Sequence, residues 1–231
     1  MNHDQETMKG GEILSVDPKS PDRDTIGKAA ALIKMGGLVV FPTSSFYGLG
    51  TEAFNAEGVD RVFRVKKRDP QNPLLILIAC LTGLAPLVRA IPETATRLME
   101  AFWPGGLTLV FQAAVQLPSN LTGYTGKIGI RLGGHPVASA LVRAVGGPIT
   151  GTSANLSGKG GCTDVAEIDR YIRDRVDLVL DGGRLEGGKG STVVDVTVDP
   201  PKILRRGVID AEKIWRVLKG LSANLADPDL N

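Results

Sequence analysis

Short apolar runs alternate with amphipathic stretches along the whole chain. Period-two or continuous apolar runs predict strands at Glu12–Val16, Leu38–Phe41, Leu74–Ile78, Leu107–Phe111 and Ile128–Arg131. Further strands are predicted at Ile149–Gly151, Leu178–Leu180, Thr192–Val196 and Ile203–Arg205. Helical spacing is clearest over Asp22–Met35, where Ile26, Ala29, Ala30 and Ile33 make one apolar stripe and Gly36-Gly37 follows as a C-cap. Val59, Val62 and Phe63 do the same for Ala56–Lys66, and Pro136 opens a helix to Val145 where a missing N–H costs little. The remaining helices are expected at Leu84–Ala90, Pro92–Phe102, Asp164–Arg173 and Asp210–Leu218. Strands alternating with helices predict an α/β or mixed α+β fold, helices packed on a sheet. No Pro/Ser-rich linker or internal repeat divides the chain, so one domain is expected over residues 12–218, with a flexible N-terminus at 1–11 and a flexible tail at 219–231.

Composition narrows the class. The chain has 231 residues, 27 basic and 25 acidic side chains and a net charge of +2. That balance excludes nucleic-acid binding by bulk positive charge, while leaving room for a local basic cleft. The longest apolar run, Leu74–Leu81, is far short of the ~20 residues a membrane span needs, and Met1–Gly10 has no apolar core of the signal-peptide kind. Cys80 and Cys162 belong to no C-x-x-C, which argues against a zinc site or redox pair. A cytoplasmic enzyme with no membrane contact is the expectation.

Glycine is the outlier: 29 residues, nearly double the usual share of about 7%. The glycines gather where predicted strands end, as at Gly48/Gly50, Gly105-Gly106, Gly133-Gly134 and Gly160-Gly161. Plain turns explain any one pair, but strand-end loops are also where α/β proteins place ligands, and glycine lets backbone N–H groups approach a phosphate. Neither G-x-x-x-x-G-K-[ST] nor a helix-opening G-x-G-x-x-G is present, so a bound nucleotide would be held by another scheme.

Four polar clusters stand out. Lys66-Lys67-Arg68 ends a helix before a Pro-bounded loop through Asn72 to Leu74. Cations there can simply complement a helix C-terminus, but two prolines also suit a rigid ligand clamp. Thr150-Gly151-Thr152-Ser153-Ala154-Asn155 offers hydroxyls, an amide and free N–H groups to one anion, or caps a turn. Arg131-Leu132-Gly133-Gly134-His135 sets a cation beside two glycines, which suits a phosphate. Finally, Ser191–Asp195 and Leu204–Gly207 are strand edges with polar ends.

Taken in order, these segments resemble one family. Pro42-Thr43-Ser44-Ser45-Phe46-Tyr47-Gly48-Leu49-Gly50 looks like P-T-[DE]-T-x-Y-G-L-G, and Lys66-x-Arg68 with Asn72-Pro73-Leu74 looks like K-x-R-x-x-x-N-P-L. Trp103–Thr108, Ser153-Ala154-Asn155-x-Ser157-Gly158, Ser191–Asp195 and Leu204-Arg205-x-Gly207 complete the pattern of the YrdC/Sua5 family, the threonylcarbamoyl-AMP synthases, over about residues 12 to 210. The resemblance implies a mixed, twisted β-sheet with helices on both faces and an open positive cleft. It implies L-threonine, bicarbonate and ATP as substrates, Mg²⁺ with the ATP, and threonylcarbamoyl-adenylate and pyrophosphate as products. Downstream threonylcarbamoyl-transferase proteins would carry the group to tRNA, and tRNA binding is a further expectation.

By the same resemblance Lys66, Arg68, Ser153 and Asn155 form the catalytic set, the cations holding carbamate and phosphates and the other two orienting them. Arg68, Asn72, Arg131, Ser153, Gly161 and Arg205 would line the ATP side, and Thr43, His135, Gly151 and Ser191 the threonine side. No metal-ligating residue is expected. Departures from the pattern are Ser44-Ser45, Gly106, Leu77 (where longer members often carry His), Gly161-Cys162 and Arg206. A chain ending near residue 231 is also expected to lack the C-terminal domain of longer members. Two alternatives are a non-catalytic tRNA- or ribosome-maturation factor of the same fold and the carbamoyl-adenylate domain of a hydrogenase maturation factor. The latter would be embedded in a longer, zinc-finger-bearing chain. Retention of both Lys66-x-Arg68 and Ser153-x-Asn155 favours the enzyme.

Overall fold

The structure is a computed structural model that describes residues 10–220. Of the expected flexible ends, residues 1–9 and 221–231 lie outside the described residues. At the described edges, Gly11 N–H donates to Arg173 O at 2.9 Å and Gly220 N–H to Val217 O at 3.0 Å.

Among the described residues, eleven strands divide between two mixed sheets. In chain order they are β1 (Glu12–Ser15), β2 (Val39–Pro42), β3 (Tyr47–Gly50), β4 (Leu75–Ile78), β5 (Leu107–Gln112) and β6 (Lys127–Leu132). Then come β7 (Ile149–Thr150), β8 (Thr152–Ser153), β9 (Leu178–Asp181), β10 (Thr192–Asp195) and β11 (Lys202–Arg205). The five-stranded sheet has the order β1-β9-β2-β3-β8, the six-stranded sheet β11-β10-β5-β6-β4-β7. β7 pairs with β4 and β8 with β3, so a single segment creased at Gly151 belongs to both sheets.

Helices α1 (Arg23–Lys34), α2 (Ala56–Lys66), α3 (Glu93–Phe102), α4 (Pro136–Val145), α5 (Arg170–Arg173) and α6 (Ala211–Leu218) cover the sheets. Side chains alternate across each strand, so one strand feeds two cores. Val39, Phe41, Leu178 and Leu180 meet Ile26 and Ile33 of α1 and Val137 and Leu141 of α4. The intervening Leu38, Val40 and Val179 point into the other core with Val59, Val62 and Phe63 of α2. The caps follow the sequence: Asp22 accepts from Thr25 N–H, Asn55 from Gly58 N–H, and Gly36 and Gly146 take positive φ after α1 and α4.

Three departures from the sequence pattern have local causes. The glycine-rich segment expected as a loop at Tyr47–Gly50 is strand β3, because its glycines leave room for a ring across the pair. A Cβ at Gly48 would lie 3.1 Å from Phe41 Cε2, and one at Gly50 2.8 Å from Phe41 Cε1. The helix expected over Asp164–Arg173 is a 3-10 turn at Val165–Glu167 followed by α5. Asp169 starts that second element, its carboxylate accepting from Tyr171 N–H at 2.8 Å. Over Leu84–Ala90 only a 3-10 turn at Ala85–Leu87 forms, because Val88 turns extended (φ −130°, ψ 153°) and bridges to Ala113.

A Cβ at Gly50 would also fall 2.6 Å from the Thr150 carbonyl oxygen, a backbone atom that cannot step aside. Gly50→Ala is expected to destabilise the fold by about 1–3 kcal/mol, the usual overpacking cost, measured as a lower urea midpoint with unchanged slope.

Candidate active site

The two sheets and their connecting loops enclose a cleft of about 640 Å³. Its floor is one face of the six-stranded sheet. On β6 every second residue, Lys127, Gly129 and Arg131, faces the cleft, as do Thr108 and Val110 of β5 and Val193 and Asp195 of β10. The β2–β3 hairpin loop from Thr43 to Phe46, the crease from Gly151 to Ser153, and Gly161 also line it.

Four arginines line the cleft, Arg68, Arg131, Arg205 and Arg206, and the first three are held as follows. Arg68 donates from Nε to Asn72 O at 3.0 Å and from Nη2 to Pro73 O at 2.9 Å. Arg131 donates from Nε to Gly105 O at 2.7 Å. Arg205 donates from Nε to Ser191 O at 3.0 Å and from Nη2 to Ser191 Oγ at 2.9 Å. Each is fixed by neutral oxygens, and among the described residues none forms an ion pair. Burial lowers the pKa of all three, and Arg205 adds repulsion to Arg68 and Arg131; Asp69 partly offsets this at Arg68. Partly desolvated cations with free N–H groups and no ion-paired carboxylate among the described residues make a site suited to an anion of phosphate type.

The other end of the floor is neutralised from within. Lys127 Nζ lies 2.9 Å from Asp195 Oδ2, and the other carboxylate oxygen accepts from Thr197 N–H and Oγ1–H at 2.8 and 2.6 Å. Those hydrogen bonds and the Lys127 charge outweigh burial and hold Asp195 below the usual carboxylate range. Asp195 closes the Ser191–Asp195 motif and, as an acid in an apolar strand, reads from sequence as a buried partner for an Arg or a turn residue; its partner is Lys127, which carried no signal beyond the two-residue alternation along β6.

The remaining residues singled out from sequence fall as follows. Thr43, Gly151, Ser153, Gly161 and Ser191 line the cleft. Thr43 Oγ1–H donates to Phe46 O at 2.6 Å, and Ser191 Oγ is 2.8 Å from Thr108 Oγ1. A Cβ at Gly161 would sit 2.6 Å from Phe46 Cγ, so that glycine admits the ring against its backbone. His135 lines the cleft at the start of α4, with Nδ1 buried and unpartnered. Burial lowers its pKa, leaving the imidazole neutral at pH 7.

Three residues are placed away from the cleft lining. Asn72 turns its carbonyl to Arg68. Lys66 is 1% exposed, with its ammonium donating to the Ser153 and Asn155 carbonyls. Asn155 is buried and donates from Nδ2 to Leu156 O at 2.8 Å and Lys159 O at 2.7 Å. The side chains drawn together in the cleft are thus Arg68, Arg131, Arg205, Ser153, Ser191, Thr43 and His135.

Fold and site define an α/β protein with a cleft lined by strand-end loops and arginine side chains. A family model named for Sua5, YciO and YrdC, and described as telomere recombination, matches residues 31–207, and the chain belongs to that family. It is 38% identical to the threonylcarbamoyl-AMP synthases of Pyrococcus abyssi (strain GE5 / Orsay) and Bacillus subtilis (strain 168), covering 82% and 89% of this chain. It spans only 56% and 62% of the length of those relatives. The crystal structure of P. abyssi Sua5 complexed with L-threonine superposes with a TM-score of 0.86 at 36% identity, over 91% of this chain and 62% of that one. The E. coli YciO crystal structure superposes with a TM-score of 0.80 at 30% identity, over 87% of this chain and 97% of that one.

Because none of these three guanidiniums is ion-paired among the described residues, inorganic pyrophosphate is expected to stabilise the folded chain. At about 100 times its dissociation constant the gain is about 2.7 kcal/mol, read as a rise in melting temperature at pH 7.5. Arg205→Ala is expected to lose most of that rise.

Proposed function

We propose that the chain forms threonylcarbamoyl-adenylate from L-threonine, bicarbonate and ATP, with release of pyrophosphate, as the first step of a threonylcarbamoyl modification of tRNA. The observation that carries this reading is the convergence of Arg68, Arg131 and Arg205 on one cleft that also holds Ser153, Ser191, Thr43 and His135. The likeness to two threonylcarbamoyl-AMP synthases and to a threonine-bound Sua5 supports the choice of substrates.

The chemistry demands charge stabilisation more than bond-making side chains. Bicarbonate gives up hydroxide to form CO₂, the threonine amine attacks the CO₂ carbon as the free base, and the amine proton leaves with that hydroxide as water. A carboxylate oxygen of the resulting carbamate then attacks the α-phosphorus, and the β,γ-pyrophosphate leaves. Negative charge builds on phosphate oxygens throughout, so fixed guanidiniums lower the barrier by electrostatics and positioning. Arg68 and Arg205 hold the phosphates, and Arg131 and Ser153 complete the polar wall. Thr43, Gly151, Ser191 and the neutral His135 face the amino acid.

Mg²⁺ fits only as part of the incoming nucleotide. Asp195, the one carboxylate among the cleft-lining described residues, is taken up by Lys127 and Thr197. No group of three or more His, Cys, Asp or Glu among the described residues can hold a metal ion. No helix of the described residues is long and apolar enough to cross a membrane. The reading puts the chain in the cytoplasm, with a separate transferase taking its product to tRNA.

Purified chain is expected to catalyse ATP–pyrophosphate exchange that requires both threonine and bicarbonate. Arg68→Ala is expected to lower kcat/KM about 10²-fold, the usual loss for one oxyanion-stabilising donor. Wild-type exchange in that variant would remove Arg68 from the site. Absence of exchange, with a salt-sensitive gel shift of tRNA, would instead favour the non-catalytic RNA-binding reading.

A further inference from the structure

The Lys66-x-Arg68 and Ser153-x-Asn155 motifs each split in the same way. One member, Arg68 or Ser153, lines the cleft. The other, Lys66 or Asn155, is buried behind it. Lys66 Nζ donates to the Ser153 carbonyl and, at 2.6 Å, to the Asn155 carbonyl. In return the Lys66 carbonyl accepts from Ser157 N–H at 2.9 Å. Asn155 closes its own loop through Leu156 and Lys159. The C-terminal end of α2 and the loop after β8 are therefore fastened at one point, on both main chain and side chain.

The backbone then turns abruptly. Lys67 takes a left-handed conformation (φ 48°, ψ 43°) and sends its ammonium outward over the Tyr171 ring, 4.6 Å from the centroid. Arg68 N–H returns to Phe63 O at 2.9 Å, and its guanidinium enters the cleft. Three consecutive side chains thus point to a buried fastening, the surface and the cleft. We propose that Lys66 is a positioning residue: it holds the Ser153 loop against the Arg68 loop and makes no contact with the ligand. This deepens the adenylate-forming reading, on which it rests for its choice of ATP as probe.

Geometry and electrostatics agree. An ammonium that reached for phosphate would have to leave two carbonyl oxygens in a site that admits almost no solvent, stranding both buried acceptors. Burial, with repulsion from Arg68, lowers the Lys66 pKa to about 8, against the pull of the Cys162 thiol facing it from the neighbouring loop. Burial, with the Glu167 charge, raises the Cys162 pKa above its usual value. A lysine with this pKa loses its charge between pH 7.5 and 9.0, yet the neutral amine keeps two N–H donors for its two carbonyls.

The test is ATP affinity of the wild-type full chain, by calorimetry, between pH 7.5 and 9.0, where arginines remain charged. A positioning lysine predicts less than about a twofold change. A lysine that pairs with phosphate predicts about an eightfold loss across this window, because affinity then follows the protonated fraction of a group with an apo pKa near 8. A loss of that size overturns the proposal. As a second arm, Lys66→Met is expected to weaken ATP about tenfold alone and to add nothing in an Arg68→Ala/Ser153→Ala background, the signature of action through those two residues. An additive loss there would also overturn it. Missing threonine-dependent exchange with ATP binding intact would strike the proposed activity and leave this inference standing.

Discussion

The cleft depends on a segment of chain that belongs to two sheets at once. Ile149-Thr150 pairs with β4 and Thr152-Ser153 pairs with β3, so Gly151 is both the crease and the hinge line of the cleft wall. Its backbone passes so close to Leu77 and Leu75 that a Cβ would stand 2.7 Å from Leu77 Cγ. Because both halves of the crease are hydrogen-bonded into sheets, Ser153 has little freedom to drift relative to β6 and β10. Precision at the site is thus a property of sheet pairing rather than of loop sequence, which is how scaffolds hold polar groups at fixed separations.

The cleft stores unfavourable electrostatics that the rest of the fold must outweigh. Arg68, Arg131 and Arg205 are held by neutral oxygens, Arg205 repels the other two, and burial lowers the pKa of each. A core fed from both faces of the sheets supplies the compensation, since strands such as β2 and β9 bury side chains in two directions. Perturbed groups gathered in one concavity, away from the well-matched surface ion pairs, are the pattern expected of a working site.

Much of this was legible in the residues, for identifiable reasons. Helices α1, α2 and α4 announced themselves by stripe and cap, since a 3.6-residue period and a terminal glycine are local properties. β3 was not legible, because Gly48 and Gly50 look like turn residues until Phe41 is placed across from them. The motifs name segments that the fold brings to one cleft, and Arg68, Arg131 and Arg205 line it. The directions of Lys66 and Asn155 were beyond reach of spacing alone. Lys66 and Arg68 are two residues apart, and only the left-handed Lys67 decides that one goes inward and the other into the cleft. Near-neutral net charge proved uninformative, because three arginines suffice when the fold converges them.

The Lys127–Asp195 pair at the far end of the floor has a consequence for approach as well as for binding. Positive potential is concentrated at the guanidinium end and cancelled at the other, so the cleft carries a gradient along its length. A ligand with its charge at one end experiences a torque before it touches the wall, and arrives with that end leading. Orientation is then set during encounter, and its sensitivity to ionic strength belongs to the rate of capture more than to the lifetime of the complex.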